Sequence, residues 1–471
     1  MAHAPETVSY SSGRGRGVLL ASVLGSGMAF LDSTAVNVAL HALGEELGTG
    51  LSGLQWTVDA YLLTLGALVL TGGALGDAFG QRRIFLTGLA AFAVTSVLCG
   101  LATSVGLLAA ARAAQGLGAA LLVPTSLALL RTSFSEDDRD RVVAAWAGLS
   151  GVSTAVGPLL GGWLIGVWSW RAVFFLNLPL AVLTAWAGRR FVPFIPPNRS
   201  VRELDYRGAL SVTLGLGGIV FALIEGPVHG WSALSVAAGL GGVLALGLFL
   251  LLQARGAHPM LPLGLFRSRA FSGANLTTLT VYFALGGAIF FVVLVLQQEV
   301  GYSPLEAGAS LLPVTVLMLL LSPVVGGLAQ RVGPRLPMLV GPLVCAVGLA
   351  LFTRIARGGS YVGTVLPGAV VLGLGLVLTV GPLTATVLDS VAGSQAGIAS
   401  GFNNAVARIA GLLAVALLPA VSGLADHASG TDFLAGVHRA LWISAALCVL
   451  GGVCSWVFIP GGKHGGAAKP G

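Results

Sequence analysis

About fourteen stretches of predominantly apolar residues follow one another along the chain, the first near 17–40 and the last near 434–459, with only short polar punctuation between them. A bilayer core about 30 Å thick takes roughly 20 such residues per helix. Backbone polar groups in lipid must be satisfied within the segment, so each crossing is expected to be a helix. With 55% hydrophobic residues, only 9% charged ones and a mean hydropathy of +0.91, the 471-residue chain has too little charge to cover a water-soluble domain. The expected class is an all-α, multi-pass membrane protein. Its 69 glycines suit helices that pack closely in lipid.

Basic residues give the topology. Nineteen of the 25 Lys and Arg fall on the side of the amino terminus and four on the other, namely Arg171, Arg354, Arg357 and Arg439, while Arg112 and Arg408 lie inside spans. That asymmetry places both termini in the cytoplasm of a plasma-membrane protein. The net charge of +7 is then a topology signal, and no nucleic-acid partner is expected. An internal repeat refines the plan: GALGDAFGQR at 73–82 aligns without gaps on GGLAQRVGPR at 326–335, an offset of 253 residues. It equates the second and tenth spans, which leaves two six-helix halves in the same orientation flanking two extra helices. The expected organisation is a tail at 1–16, a six-helix bundle at 17–190, a linker at 191–206, two additional helices at 207–254, a linker at 255–270, a second bundle at 271–459 and a tail at 460–471. Parallel repeats of this kind suit alternating access around a site between the halves.

Charged residues inside the spans carry the chemistry. Asp32, in AFLDSTAVNVAL, sits about eight residues, hence roughly 12 Å, from the outer end of the first span. Such a carboxylate must face protein or a water-filled cavity and is functional by default. RAAQGLGAALLVP (112–124) puts Arg112 and Gln115 on one helix face, and Arg112 is as anomalous as Asp32, so each explains the other if they share a cavity. In GGALGDAFGQRR, Asp77 can accept charge-assisted hydrogen bonds from Arg82 or Arg83, an arrangement able to latch one conformation. GVSTAVGPLLGGWL (151–164) holds Gly157 and Pro158, which permit a kink and dense packing. WRAVFFLNLPLA (170–181) opens the sixth span with interfacial Trp170 and carries Asn177 and Pro179.

Taken in order and spacing, these stretches resemble the major facilitator superfamily, specifically its fourteen-helix drug:proton antiporter branch (DHA2), over nearly the whole chain. LDSTAVNVAL is similar to that branch's first-helix signature, GGALGDAFGQRR to the superfamily loop motif, RAAQGLGAALLVP to the fourth-helix motif, GVSTAVGPLLGGWL to the fifth-helix antiporter motif and WRAVFFLNLP to a stretch of the fourteen-helix branch. The resemblance implies proton-driven export of small lipophilic, often cationic drugs or natural products. It assigns proton coupling to Asp32 and Arg112, gating to Asp77 and Arg82, and helix bending or leak prevention to Gly157 and Pro158. Gln81 departs from the loop motif, which often has a basic residue there, and weakens the charge of the latch.

Gln115 and several further positions are candidates for substrate contact. Asp59 lies between Trp56 and Tyr61 near the outer start of the second span, a pattern that suits an organic cation through charge and cation–π contact; the alternative is a solvated acid at a helix start. Glu225 ends the seventh span as a second-rank proton or cation site. Asn403, Asn404 and Arg408 form a mid-span polar cluster, with Asn404 and Arg408 one turn apart, either lining a cavity or joining helices. The parts of an enzyme are missing: the seven histidines fall in loops or tails, and no metal spacing, nucleophile elbow or phosphate-binding loop occurs. No cofactor or metal is expected, the proton motive force supplying the energy. A proton-coupled nutrient importer and a membrane receptor are the weaker alternatives, the latter lacking a signalling domain.

Overall fold

A computed structural model describes residues 8–194, 204–424, 426 and 428–461, apart from the side chains of 140 and 394. The tail at 1–7, the linker segment 195–203, Ala425, His427 and the tail at 462–471 lie outside the described residues. Sixteen helices are described: α1 (Gly13–Leu47), α2 (Leu51–Phe79), α3 (Gln81–Gly100), α4 (Val105–Ser133), α5 (Glu136–Val167), α6 (Arg171–Phe175), α7 (Asn177–Phe191), α8 (Tyr206–Val228), α9 (Ala233–Arg255), α10 (Arg269–Gln298), α11 (Pro304–Ser310), α12 (Leu312–Val332), α13 (Arg335–Phe352), α14 (Leu366–Asp389), α15 (Ala396–Ser422) and α16 (Gly430–Phe458). They make fourteen candidate membrane spans, because α6 with α7 forms one crossing (Arg171–Phe191) and α11 with α12 another (Pro304–Val332). An even number of crossings leaves both ends of the chain on one face, here the terminal face; the other is the far face. Helices outrun the apolar runs that announce them. α1 starts at a Ser12 side-chain cap and stops at Gly48 in the left-handed region, so polar turns extend it beyond 17–40 at both ends.

The two halves share one packing plan. In the first, α1 packs on α5 and α7, α4 on α2 and α3, and α3 on α7. In the second, α10 packs on α15 and α16, α14 on α12 and α13, and α13 on α16. Helix for helix this is the same arrangement displaced by eight crossings. The aligned loop residues Gly80 and Gly333 both end their helices at positive φ, 92° and 81°, with extended ψ, a conformation that a side chain rarely adopts. The internal repeat is therefore a repeat of backbone geometry as well as of letters.

Glycine sets the spacing inside each half. A Cβ on Gly72 would stand 1.9 Å from the carbonyl oxygen of Ala120, and one on Gly116 would stand 2.5 Å from that of Tyr61, so α2 and α4 touch backbone to backbone. Gly72→Val is expected to force them apart and to destabilise the protein by about 1–3 kcal/mol or more, read as a lower midpoint in thermal unfolding in detergent. Gly148→Ala, in α5 where nothing lies within 4 Å, is the control and should leave the midpoint no lower than that of the wild type.

Between the halves, α2 packs on α15, α5 on α11 and α12, and α1 on α10. Toward the far face this seam is closed. Gln297 Nε2 donates to the Val38 carbonyl at 3.1 Å, and Asp426 accepts from Leu51 N and Ser52 N at the start of α2 at 2.9 and 2.6 Å. Toward the terminal face the halves separate around a cleft of about 350 Å³ bounded by α2, α4 and α15. The α8–α9 hairpin packs through α8 on α2 and α15, covering one side of the seam. Leu240, Leu244 and Leu248 of α9 are exposed, as expected of a helix facing lipid.

Candidate functional site

Five helices of the first half converge on Asp32. Its Oδ2 accepts from Arg112 Nη1 at 2.5 Å, and its Oδ1 accepts from Gln115 Nε2 at 3.0 Å and Asn177 Nδ2 at 2.9 Å. Arg112 also donates through Nη1 to Gln115 Oε1 at 2.7 Å and through Nε to the Thr57 carbonyl at 3.1 Å. Ser96 Oγ completes the network, accepting from Asn177 at 2.9 Å and Gln115 at 3.3 Å while donating to the Phe174 carbonyl at 2.8 Å. The guanidinium lies over the Tyr61 ring, 4.2 Å from its centroid, and the Tyr61 hydroxyl donates to the Ala29 carbonyl. Asp32, Arg112, Gln115, Ser96 and Asn177 are all at most 1% exposed, so neither face of the membrane reaches the pair in this state.

The local sequence accounts for this convergence. Arg112 and Gln115 are three residues apart on α4, so both point at α1. Asn177 is the first residue of α7, at the break after α6, where its amide turns into the bundle. The sequence reading placed Gln115 with the substrate residues; its two amide atoms instead bind the Asp32–Arg112 pair. It singled out Asn177 without assigning it a role and missed Ser96. A lone amide in an apolar run is a readable signal, whereas one hydroxyl among many is not.

The candidate cation box is dispersed. Asp59 stands two turns inside α2, fully buried, and among the described residues neither carboxyl oxygen has a hydrogen-bond partner. It is thus neither a solvated acid at a helix start nor a lining residue of the cleft, as the sequence pattern allowed. Trp56 turns away from it, and its Nε1 donates to Glu225 Oε1 at 2.6 Å; Glu225 also pairs with His229 at 3.1 Å, tying α8 to α2. Tyr61 faces Arg112. The reason is helical: 56, 59 and 61 project in three directions, toward α8, α15 and α4. Gln55 confirms the α15-facing side, one turn from Asp59, by donating to the Val415 carbonyl at 2.6 Å.

The loop latch also differs from expectation. Asp77 Oδ1 accepts from Gln81 Nε2 at 2.7 Å, while Arg82 reaches the Arg189 carbonyl at the end of α7 at 2.7 Å and Arg83 is exposed. Neither arginine pairs with Asp77 in this state. Gln81 is the nearer donor, one helical turn away, and supplies a neutral bond where the resemblance implied a charged one. Pro158 belongs to the closed seam, whereas Gly157 packs inside the first half. Gly157 and Gly161 pack on Thr34 and Ala35 of α1, while Gly162 meets Leu305 and the Pro158 carbonyl meets Gly308. α5 runs unbroken through Pro158. Asn404 lines the inner end of the cleft and accepts from Arg408 Nε at 3.4 Å. By the repeat, α15 corresponds to α5, so Arg408 has no positional kinship with Arg112 on α4.

Two parallel six-helix repeats, a seam closed at one face and open at the other, and a buried acid–base pair beside it define a secondary transporter. The chain belongs to the Major Facilitator Superfamily, whose family model matches residues 22–415. It is 36% identical to the multidrug resistance protein Stp of Mycobacterium tuberculosis (strain CDC 1551 / Oshkosh) over 86% of this chain and 75% of that one. It is also 36% identical to the tetracenomycin C resistance and export protein of Streptomyces glaucescens, over 89% and 77%. Its fold is that of a POT family transporter solved in complex with a thioalcohol-conjugated peptide, with a TM-score of 0.73 over 96% of this chain and 98% of that one at 13% identity.

Proposed function

We propose that the protein is a proton-coupled antiporter of the plasma membrane that exports small lipophilic drugs or natural products, with its terminal face toward the cytoplasm. The observation that carries this reading is the closed Asp32 network. A carboxylate held by three donors in the membrane interior ties α1 to α4 and α7, and protonation removes the charge that Arg112 pairs with. The tie weakens, and the first half repacks. A compound entering the open cleft favours one packing and a proton the other, which is the differential affinity that exchange requires. The basic residues of the terminal face orient the open cleft toward the cytoplasm, where an exporter loads. The far-face seam, where Pro158 and Gly162 of α5 meet Gly308 and Leu305 of α11, blocks leakage meanwhile.

The resistance and export functions named for the two relatives support a drug-like substrate. Reconstitution into liposomes under an imposed pH gradient tests the reading, with cationic dyes, neutral antibiotics and acidic amphiphiles offered in parallel. Uphill accumulation of at least one class, abolished by a protonophore, is the expected outcome. Transport of none, or accumulation indifferent to the gradient, contradicts it.

A further inference from the structure

We infer that Arg408, with Asn404 beside it, forms an anion subsite just beyond the inner end of the cleft, so that the favoured substrates are small lipophilic acids bearing a carboxylate or a comparable planar anion. The inference rests on the transport reading above and names the substrate class of that same site.

Arg408 is the intramembrane arginine that the Asp32 network does not explain. Of its five N–H donors only Nε is engaged, at 3.4 Å to Asn404 Oδ1, and both Nη groups make no hydrogen bond to any described residue. No acid among the described residues lies within ion-pair distance. Its guanidinium crosses the seam to lie over Phe30 of α1, 5.1 Å from the ring centroid, and its electrostatic neighbours are the hydroxyls of Tyr61 and Tyr282. No nearby carboxylate pairs with it. Asp32 belongs to Arg112; Asp59, itself without a partner among the described residues, stands two turns before Gly66 on α2, the residue facing the Arg408 side chain. At the mouth of the cleft, Asp77 accepts from Gln81, and Asp205 accepts from Gly208 N and Gln253.

An arginine in a membrane interior is expensive and is usually paired. This one is half-buried, one helical turn beyond the inner end of the cleft, with its forked donors free. Guanidinium matches a carboxylate with two parallel bonds, and Phe30 supplies an apolar wall against which a lipophilic body can rest. A cationic substrate would meet like charge at this point.

The test uses the full-length protein in liposomes under one fixed pH gradient, with a lipophilic coumarin carboxylate, its neutral carboxamide and the cation ethidium as probes. The wild type is expected to transport the carboxylate with a KM about tenfold or more below that of the carboxamide, the factor that a charge-assisted pair provides. Arg408→Gln should erase that preference by raising the carboxylate KM, leave the carboxamide KM within about twofold, and improve ethidium transport. Arg408→Lys should keep part of the preference. A wild type that moves ethidium or the carboxamide in preference to the carboxylate overturns the anion subsite and leaves proton-driven export standing. Equal loss of all three probes in Arg408→Gln also overturns it, because the role would then be structural. Transport of no probe under the gradient defeats the export reading itself and the subsite with it.

Discussion

Asp32→Asn is expected to reduce pH-gradient-driven accumulation to the level of protein-free liposomes while leaving substrate counterflow intact. Asn keeps the size of the side chain and an oxygen that can accept from Arg112, so it stands in for the protonated acid: the tie of α1 to α4 and α7 is weakened as in that state, and the protein still inserts. What it lacks is a titratable proton. Exchange of labelled for unlabelled compound needs only the alternation of the two halves, whereas uphill movement needs the alternation to be tied to protonation. Counterflow and gradient-driven transport measured on the same vesicles separate the two. Uphill transport by the Asn variant would remove Asp32 from the coupling step.

Arg112→Leu is the second large effect, and it acts on stability. It strips the buried Asp32 carboxylate of its cationic partner, leaves Gln115 Oε1 without a donor and takes from the Thr57 carbonyl the bond it accepts beyond its own helix. Removing one member of a buried pair typically costs about 3–5 kcal/mol. A marked fall in the thermal midpoint in detergent is therefore expected, with loss of transport. Adding Asp32→Asn to Arg112→Leu should restore much of the midpoint, because the orphaned charge is gone, but not the coupling. If the double variant were as unstable as the single one, Arg112 would be holding the bundle chiefly through Thr57 and Tyr61.

The fold was legible because lipid allows few alternatives. Apolar runs of bilayer length become helices, basic residues mark one side, and the 73–82/326–335 repeat equates the halves. The pair Asp32–Arg112 was legible for the same reason, since two charges in apolar spans call for each other. Azimuth was harder to read. Trp56, Asp59 and Tyr61 are neighbours in sequence, but their helix packs against α8, α15 and α4, and each residue was taken by a different one. Arg82 could not be assigned its acceptor, a carbonyl 107 residues away at the end of α7. Ser96 was invisible for want of any anomaly, and the free donors of Arg408 emerge only once every acid around it has been placed.

The central claim is that a proton and the exported compound cross in opposite directions through one alternating site. The most direct measurement loads proteoliposomes with substrate, imposes no pH gradient, and follows luminal pH with a trapped dye as the substrate runs out. Acidification of the lumen that tracks substrate efflux, and that Asp32→Asn abolishes, is the predicted result. Efflux without acidification, or with alkalinisation as in a symporter that imports nutrient, would contradict it.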